Sequence, residues 1–263
     1  LLCVAAEALS AAFPLHYQRE AGKRHMENFT FYSPTMFVFG KGEEENAGAL
    51  ARRFGGTRAL LHFGGGSAVR SGLAARVRAS LEGAGIGVVE LGGAQPNPRS
   101  GLVYQGIELC RKERIDFILA VGGGSVIDSA KAIAAGVPYE GDFWDFYTAR
   151  AEIEAALPVG TVLTIAAAGS EGSENSVITH ETGMYKRGAG SPLLRPKFSI
   201  LNPALTETLP PFQTACGAAD IMTHIFERYF TNTTEVEVTD RLCEALLLTM
   251  IHEAPKAIAR PDD

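Results

Sequence analysis

The sequence predicts an α/β domain on a mostly parallel sheet, followed by a shorter all-helical segment. Three short apolar strands are expected at 58–63, 86–91 and 158–166, and a fourth at 115–125 runs into a glycine-rich turn. Strands that are apolar on both faces are typical of parallel sheets covered on both sides. Amphipathic helical patterns separate these strands, and no strand pattern follows residue 203. The alternation indicates a Rossmann-like, doubly covered architecture.

The remaining elements follow from start and stop signals. Residues 29–40 are aromatic and β-branched with turn residues between them, which predicts an edge hairpin or strand pair. Glycines end two of the helical patterns, as helix C-termini often require. The predicted helices cover 41–55, 71–85, 97–114 and 126–136.

Two long helical patterns, 211–232 and 236–260, occupy the last sixty or so residues. Two helices alone cannot bury their apolar faces, so this segment is expected to be the start of a larger helical domain. The predicted domains are 26–203 and 204–263. Residues 1–25 are apolar first and basic afterwards, the reverse of a signal peptide. They are interpreted as an extension outside the fold, with a targeting segment as the alternative.

Composition limits the classes of partner. Of 263 residues, 46% are hydrophobic and 21% charged, and the net charge is −6. This balance is typical of a globular protein and argues against a nucleic-acid surface or a basic membrane anchor. No apolar run reaches the ~18–20 residues that span a bilayer. The four cysteines have no regular spacing. They predict a reducing compartment, and hence the cytoplasm, rather than a disulfide or zinc framework.

Two glycine-rich turns are the strongest binding signals. "VGGGSVIDSAK" (121–131) joins a strand to a helix, and "GGGS" (64–67) follows another strand. Glycines allow the backbone to approach a pyrophosphate, and a helix N-terminus favours the anion. Ligands of parallel sheets lie beyond the carboxyl ends of the strands, where both turns fall. A dinucleotide with one end at each turn is the favoured interpretation; a structural turn is the alternative for 121–131.

The turn at 64–67 also bears on the choice between NAD and NADP. Enzymes that use NAD commonly place an acid at the end of this strand, against the ribose hydroxyls. Here three glycines and Ser67 leave room for a 2′-phosphate, which favours NADP. Arg70 either assists or faces solvent, and the sequence does not decide. Other polar candidates near the cofactor are Asn97, Thr164, Ser170, Ser173 and Lys186.

Asp220 and His224 are four residues apart in "GAADIMTHIFERYF". On a helix this spacing places both side chains on one face, where they could hold two positions of a metal site. The spacing alone more often marks a surface or satisfied core pair.

Together these motifs resemble the iron-containing (group III) alcohol dehydrogenase family, in particular its NADPH-dependent butanol dehydrogenase and aldehyde reductase branch. The likeness covers about residues 28–260. It is carried, in order, by "FYSPTMFVFGKG", "LLHFGGGS", "QPNPR", "DFILAVGGGSVIDSAKAIA", "GTVLTIAAAGSE", "SVIT", "KFSILNP", "TLPP" and "GAADIMTHIFERYF".

The resemblance implies a dehydroquinate synthase-like fold, with a dinucleotide-binding domain, a helical domain and a divalent metal, Fe²⁺ or Zn²⁺, in the cleft between them. It implies that Asp220 and His224 ligate the metal. It also implies NADP contacts at Gly64, Gly65, Gly66, Ser67, Asn97, Gly123, Gly124, Ser125, Asp128, Thr164, Ser173 and Lys186.

The implied function is hydride transfer between NAD(P)H and an aldehyde or primary alcohol, with the metal as Lewis acid on the substrate oxygen. The family's two further histidine ligands lie beyond the last residue here, and His252 matches neither of them. The chain alone is therefore expected to be nearly inactive. Ala166 replaces a proline frequent in relatives. The apolar edge at 29–39 favours a homodimer. A non-catalytic NADP-binding remnant, or a relative of glycerol dehydrogenase or dehydroquinate synthase, stays open.

Overall fold

A computed structural model describes residues 30–233 and 235–262. The strands are β1 Met36–Phe39, β2 Arg58–Gly64, β3 Gly87–Ala94, β4 Phe117–Gly122, β5 Val159–Leu163, β6 Asn175–His180, β7 Tyr185–Gly190 and β8 Phe198–Leu201. The α-helices are α1 Ala47–Arg53, α2 Ser67–Arg70, α3 Leu73–Gly83, α4 Ser100–Glu113, α5 Gly124–Gly136, α6 Trp144–Tyr147, α7 Pro211–Tyr229 and α8 Glu237–Ala259.

Six strands form one sheet in the order β1-β8-β5-β4-β2-β3, and every neighbouring pair is parallel. This confirms the predicted mostly parallel sheet. β6 and β7 pair antiparallel as a separate hairpin. All six carboxyl ends of the main sheet therefore lie at one edge, where loops from several strands meet.

The sheet has an apolar core on each face. Along β4, Ile118 and Ala120 pack into the core shared with α4 and α5, whereas Phe117, Leu119 and Val121 pack into the core shared with α1 and α3. All six residues of β4 are buried. Alternate side chains of a strand point to opposite faces, so a strand between two helical layers must be apolar throughout. This is the physical reason for the continuous apolar runs in the sequence.

Two element predictions near the start are corrected. Within the described part of 29–40, the backbone forms one strand, β1, which pairs parallel with β8 and not with a neighbour in a hairpin. The helix expected over 41–55 is a 3₁₀ segment, Glu43–Asn46, followed by α1. The predicted extension, residues 1–25, lies outside the described residues.

The β6–β7 hairpin and β8 were not recognised as strands in the sequence. β7 is mostly exposed and contains no run of β-branched residues, so it lacks the period-two apolar signal. β8 is only four residues long, although its first three are buried. Its place between β1 and β5 depends on long-range pairing that no local pattern encodes.

Helices α7 and α8 pack on each other through a small core of Ile221, Ile225, Cys243 and Met250. Both helices also keep large apolar side chains exposed, which agrees with the expectation that two helices cannot bury their apolar faces alone. These exposed residues are Phe212, Phe230, Val238, Leu242, Leu248 and Ile251. None of the described helices is long and apolar enough to cross a membrane.

His62 ties β2 to the neighbouring strand β3 and to helix α5, and should make stability depend on pH. It is wholly buried; Nδ1 lies 2.8 Å from the Leu91 carbonyl and Nε2 lies 3.0 Å from Ser129 Oγ. A carbonyl only accepts, so Nδ1 donates to it, and in the neutral ring Nε2 accepts from the Ser129 hydroxyl. Burial lowers the pKa of His62 to about 4, although the hydrogen bond to Leu91 opposes the shift.

The unfolded chain therefore binds a proton at His62 in a range where the folded chain does not. Stability is present in full above about pH 6.5 and is lost as pH falls towards 4, by about 3 kcal/mol in total from this group. His62→Gln should remove this component. The check is urea unfolding at several pH values between 4 and 7, and equal pH slopes in both proteins would contradict the assignment.

Candidate functional site

The two glycine turns lie side by side. β2 and β4 are neighbours, so the turn at 64–67 and the turn after Gly122 leave adjacent strand ends. A Cβ placed on Gly64 would lie 3.6 Å from Val126 Cγ2, in the first turn of α5. The helices between β2 and β3, α2 and α3, cover one face of the sheet, and α5 covers the other. Helices change faces between these two strands, and this is where parallel sheets bind nucleotides.

The second turn leads directly into α5. Gly123 is its N-cap and no side chain of the described residues caps the helix, so the first amides of a 13-residue helix are available to a ligand. A Cβ on Gly122 would stand 2.4 Å from Val126 Cγ2, and one on Gly123 would stand 2.4 Å from Ile165 Cγ2. These contacts explain why the turn requires glycine. Gly124 and Ser125, both partly exposed, continue the turn into the helix.

The first turn is more open. Gly66 has φ 147°, a conformation that side chains rarely adopt, and a Cβ on Gly65 would meet nothing within 4 Å. Gly65 and Ser67 are exposed, and Gly64 is partly exposed. The turn thus exposes its backbone and the Ser67 hydroxyl to solvent, beside the carboxyl ends of the strands.

Asn97 and Lys186 meet although they are distant in sequence. Lys186, on β7, donates to Asn97 Oδ1 at 2.8 Å, and Asn97 itself has φ 55°. A bridge between Arg99 and Thr179 joins the same two regions. The structure therefore places the β6–β7 hairpin beside the loop that follows β3. These two predicted cofactor residues lie together at the rim of the same sheet edge.

Lys131 organises the loop that follows β5, a role the sequence did not reveal. The side chain is wholly buried, and Nζ donates to the carbonyl oxygens of Ser170, Ser173 and Asn175 at 2.7, 2.8 and 2.9 Å. It also donates to Ser170 Oγ at 3.1 Å. A buried ammonium needs such a set of acceptors. The "DSAK" ending of the phosphate motif was the available signal, but lysine alone predicts a solvated side chain.

Asp128 lies one helical turn before Lys131 on α5 and binds the same loop. Its Oδ1 accepts from Ser170 Oγ at 2.6 Å and its Oδ2 accepts from the Val177 amide at 3.0 Å. Burial raises the pKa of Asp128, with the charge of Lys131 and these hydrogen bonds opposing the shift. Both carboxylate oxygens are thus bonded to the protein, and the predicted contact with a cofactor stays a prediction.

Thr164 and Ser173 belong to the loop that Lys131 holds. The Thr164 amide donates to the Gly122 carbonyl at 3.1 Å, which fixes the start of the loop beside the second glycine turn. Ser173 is buried, and its Oγ accepts from the Asn175 amide at 2.9 Å. Ser170, also buried, serves Lys131 and Asp128 rather than an open surface.

Asp220 and His224 lie on one face of α7, as their spacing predicts. Asp220 Oδ1 is 3.9 Å from His224 Nε2, and the side chains are 45% and 36% exposed. Glu227 Oε2 is 3.6 Å from His224 Nδ1. A carboxylate and an imidazole suit Fe²⁺ or Zn²⁺, and both are open to a further ligand. Among residues 30–233 and 235–262, no group of three or more His, Cys, Asp or Glu side chains could hold a metal ion.

Gly217 docks this helix on the sheet edge. A Cβ on Gly217 would stand 2.4 Å from the carbonyl oxygen of Ala166, in the loop after β5. Gly217 precedes Asp220 by one helical turn. The absence of a side chain therefore lets the helix of the Asp220–His224 pair approach the loop that carries Thr164 and Ser173.

A cavity of about 360 Å³ lies between this sheet edge and the two long helices. Phe39, Leu163 and Leu201 line it from the ends of β1, β5 and β8, and Ile221 and Met250 line it from α7 and α8. Glu171 also lines it, a buried acid whose pKa is raised by burial. Sequence reasoning missed Glu171, since nothing in "GSEGSE" distinguishes a buried acid from a loop acid.

The fold and the site define a class of parallel α/β proteins. Members of this class bind a nucleotide where the helices change from one face of the sheet to the other. In this chain a helical segment with an Asp–His pair follows the α/β part. The model of the iron-containing alcohol dehydrogenase family matches residues 34–203. The chain belongs to the iron-containing alcohol dehydrogenase family.

Similar proteins agree with this assignment. The chain is 50% identical over 233 residues to the probable NADH-dependent butanol dehydrogenase 1 of Bacillus subtilis, covering 89% of this chain and 60% of that protein. It is 39% identical over 241 residues to the NADPH-dependent aldehyde reductase YqhD of Escherichia coli, covering 90% and 61%. These relatives use different nicotinamide cofactors, so the expected NADPH-dependent branch is not distinguished from an NADH-dependent one.

Among solved structures, NADH-dependent butanol dehydrogenase A of Thermotoga maritima is similar with a TM-score of 0.88 and 42% identity. The match covers 92% of this chain and 60% of that one. This likeness confirms the predicted fold. The chain thus spans about 60% of the length of the relatives it matches.

Proposed function

We propose that this chain contributes the dinucleotide site and part of the metal site of an enzyme that transfers hydride between NAD(P)H and a small aldehyde or primary alcohol. The observation that carries the proposal is the position of the two glycine turns at neighbouring strand ends, between helices on opposite faces. The dehydrogenases and the reductase to which the chain is similar support this reaction class.

We assign the pyrophosphate to the amides of Gly124 and Ser125 at the start of α5, because an uncapped helix N-terminus attracts an anion. Asn97 and Lys186 supply an amide and an ammonium at the adjacent rim. Lys131 and Asp128 keep the loop of Thr164 and Ser173 in place. Every remaining predicted residue of the cofactor site lies on this loop or on the two turns.

We further propose a preference for NADP over NAD. The turn at 64–67 contains no acid that would accept from ribose hydroxyls or repel a 2′-phosphate. Its open space at Gly65 and the exposed Ser67 hydroxyl suit the larger, charged group.

Asp220 and His224 would hold the metal, Fe²⁺ or Zn²⁺, with other ligands completing the site. When bound, such an ion supplies Lewis-acid polarisation of the substrate oxygen. The chain's own contribution is to fix the carboxylate and imidazole on one helix face, and to hold that helix against the cofactor loop through Gly217. Two ligands hold an ion weakly, so we expect the 263-residue chain to bind NADPH and to show little turnover.

We also propose domain limits, an oligomeric state and a cellular compartment for this protein. We place the boundary at 203/204, between the end of β8 at Leu201 and the start of α7 at Pro211. Among the described residues, β1 pairs on one side only, with β8, and Phe39 is 59% exposed, so this edge suits a second copy in a homodimer. The free cysteines of the described residues fit the cytoplasm.

An added charge at Gly65 tests the cofactor assignment. Gly65→Asp should weaken NADPH binding by about tenfold or more, because a carboxylate beside the 2′-phosphate repels it. NADH binding should be affected much less. Fluorescence titration with both dinucleotides measures this, and Gly65→Asn is the control of equal size without charge.

Equal losses for NADPH and NADH in Gly65→Asp, or an equal effect of Gly65→Asn, would count against the NADP preference. A chain that binds neither dinucleotide would remove the proposed function. Tight NADPH binding by a longer version that never transfers hydride with added Fe²⁺ or Zn²⁺ would favour the remaining alternative, a non-catalytic nucleotide-binding protein.

A further inference from the structure

We propose that Arg70 is the side chain that recognises the 2′-phosphate of NADP and so determines the choice between NADP and NAD. The inference rests on the proposed function and adds a residue to it. Arg70 is the last residue of α2, the short helix that begins at Ser67 directly after the three glycines. Its backbone amide donates to the Gly66 carbonyl at 2.9 Å, which anchors the residue on the turn.

The side chain of Arg70 folds back over the turn. A Cβ built on Gly66 would lie only 2.8 Å from Arg70 Nη1, so the guanidinium occupies the space that a side chain at Gly66 would need. Helical side chains point towards the preceding turn of their own helix, which explains this direction. The guanidinium therefore lies against Gly66, between the exposed residues Gly65 and Ser67 of the turn, and Arg70 is itself exposed.

The side chain of Arg70 also has no ion-pair partner among the described residues, unlike the arginines of α3. Arg76 pairs with Glu44 at 3.1 Å, and Arg78 pairs with Glu82 and Glu90 at 2.8 and 3.1 Å. Across residues 30–233 and 235–262, Arg70 forms no ion pair and no side-chain hydrogen bond. An unpaired guanidinium is available to an incoming anion without first breaking a protein contact.

The chemistry of the turn then separates the two cofactors. A guanidinium binds a phosphate through two parallel charge-assisted hydrogen bonds, whereas a ribose hydroxyl offers a single neutral acceptor. Glu90, the acid on the adjacent strand β3, is already paired with Arg78. Ser67 can donate to a further phosphate oxygen. The turn thus combines space, one hydroxyl and one free cation, a combination that suits a phosphate monoester on the ribose.

The test compares Arg70→Met with wild type in fluorescence titrations using NADPH and NADH, each at low and high KCl. We expect NADPH binding to weaken by about 10- to 100-fold in Arg70→Met, the range for a lost charge-assisted hydrogen-bonded pair. NADH affinity should change less than about twofold, and the salt dependence of NADPH binding should fall. The NADPH affinity of Arg70→Lys should lie between those of wild type and Arg70→Met. Lysine keeps the positive charge but cannot form the two parallel hydrogen bonds of a guanidinium.

Arg114→Met is the matched control. Arg114 is another exposed arginine, but it precedes β4 at the opposite edge of the sheet, so its loss should leave both affinities unchanged. Equal weakening of NADPH and NADH by Arg70→Met, or unchanged binding of both, would overturn the inference while leaving the dinucleotide site intact. If wild type binds neither dinucleotide, the proposed function fails and the inference falls with it.

Discussion

Lys131→Met is expected to destabilise the fold by about 3–5 kcal/mol, the range for removing one partner from a buried charged cluster. The substitution leaves the carbonyls of Ser170, Ser173 and Asn175 without their ammonium donor. It also leaves the partly buried carboxylate of Asp128 without the nearby charge that favours its ionised form. Methionine is of similar length, so the loss reflects polar contacts more than packing. Urea unfolding at pH 7 provides the measurement.

Lys112→Met is the control for removing a positive charge, since Lys112 is exposed on α4 and should change stability by less than about 0.5 kcal/mol. Lys131→Met should also weaken NADPH binding under conditions where the variant is still folded, because the loop of Thr164 and Ser173 loses its anchor. A stability near that of wild type would show that the described hydrogen bonds do not hold this loop.

Gly217→Ala is expected to lower stability by about 1–3 kcal/mol, although alanine is the better helix former. The new Cβ would stand 2.4 Å from the Ala166 carbonyl oxygen, a backbone atom that cannot rotate away. Helix α7 must therefore shift outward, carrying Asp220 and His224 with it. Thermal unfolding measures the cost, and zinc titration of the folded variant measures the effect on the Asp–His pair.

Gly83→Ala gives the opposite expectation for the same chemical change. Gly83 is the last residue of α3, and a Cβ there would meet nothing within 4 Å. Alanine should stabilise that position by up to about 1 kcal/mol. If both variants gained stability, the close approach of α7 to the loop after β5 would be wrong.

Strands β2, β4 and β5 could be predicted because burial on both faces leaves a strong local signal. β4 is apolar throughout, β2 is apolar apart from Arg58 and His62, and the glycine turns mark the carboxyl ends of both strands. The order of the strands could not be predicted, because β8 enters between β1 and β5 through pairing across most of the chain. The β6–β7 hairpin was missed for a different reason, since one of its strands faces solvent and has no apolar periodicity.

The parts of the candidate site that depend on backbone conformation and residue spacing could be predicted from the sequence. Glycine turns and the i, i+4 spacing of Asp220 and His224 are visible in a sequence. The roles of Lys131 and Glu171 were not, because the sequence does not show that a charged side chain is buried. Arg70 was noticed in the sequence, but only the structure shows its guanidinium against Gly66.

The pairing of β1 with β8 also affects how the chain is made. Met36 and Phe198 are aligned partners about 160 residues apart, so β1 leaves the ribosome long before its partner exists. During that interval an apolar edge strand is open to pairing with other chains. The contact of β1 with β8 can form only after β8 has been synthesised, which follows β2, β3, β4 and β5 in the chain. Chaperone protection during synthesis is thus most needed until residue 201 has emerged.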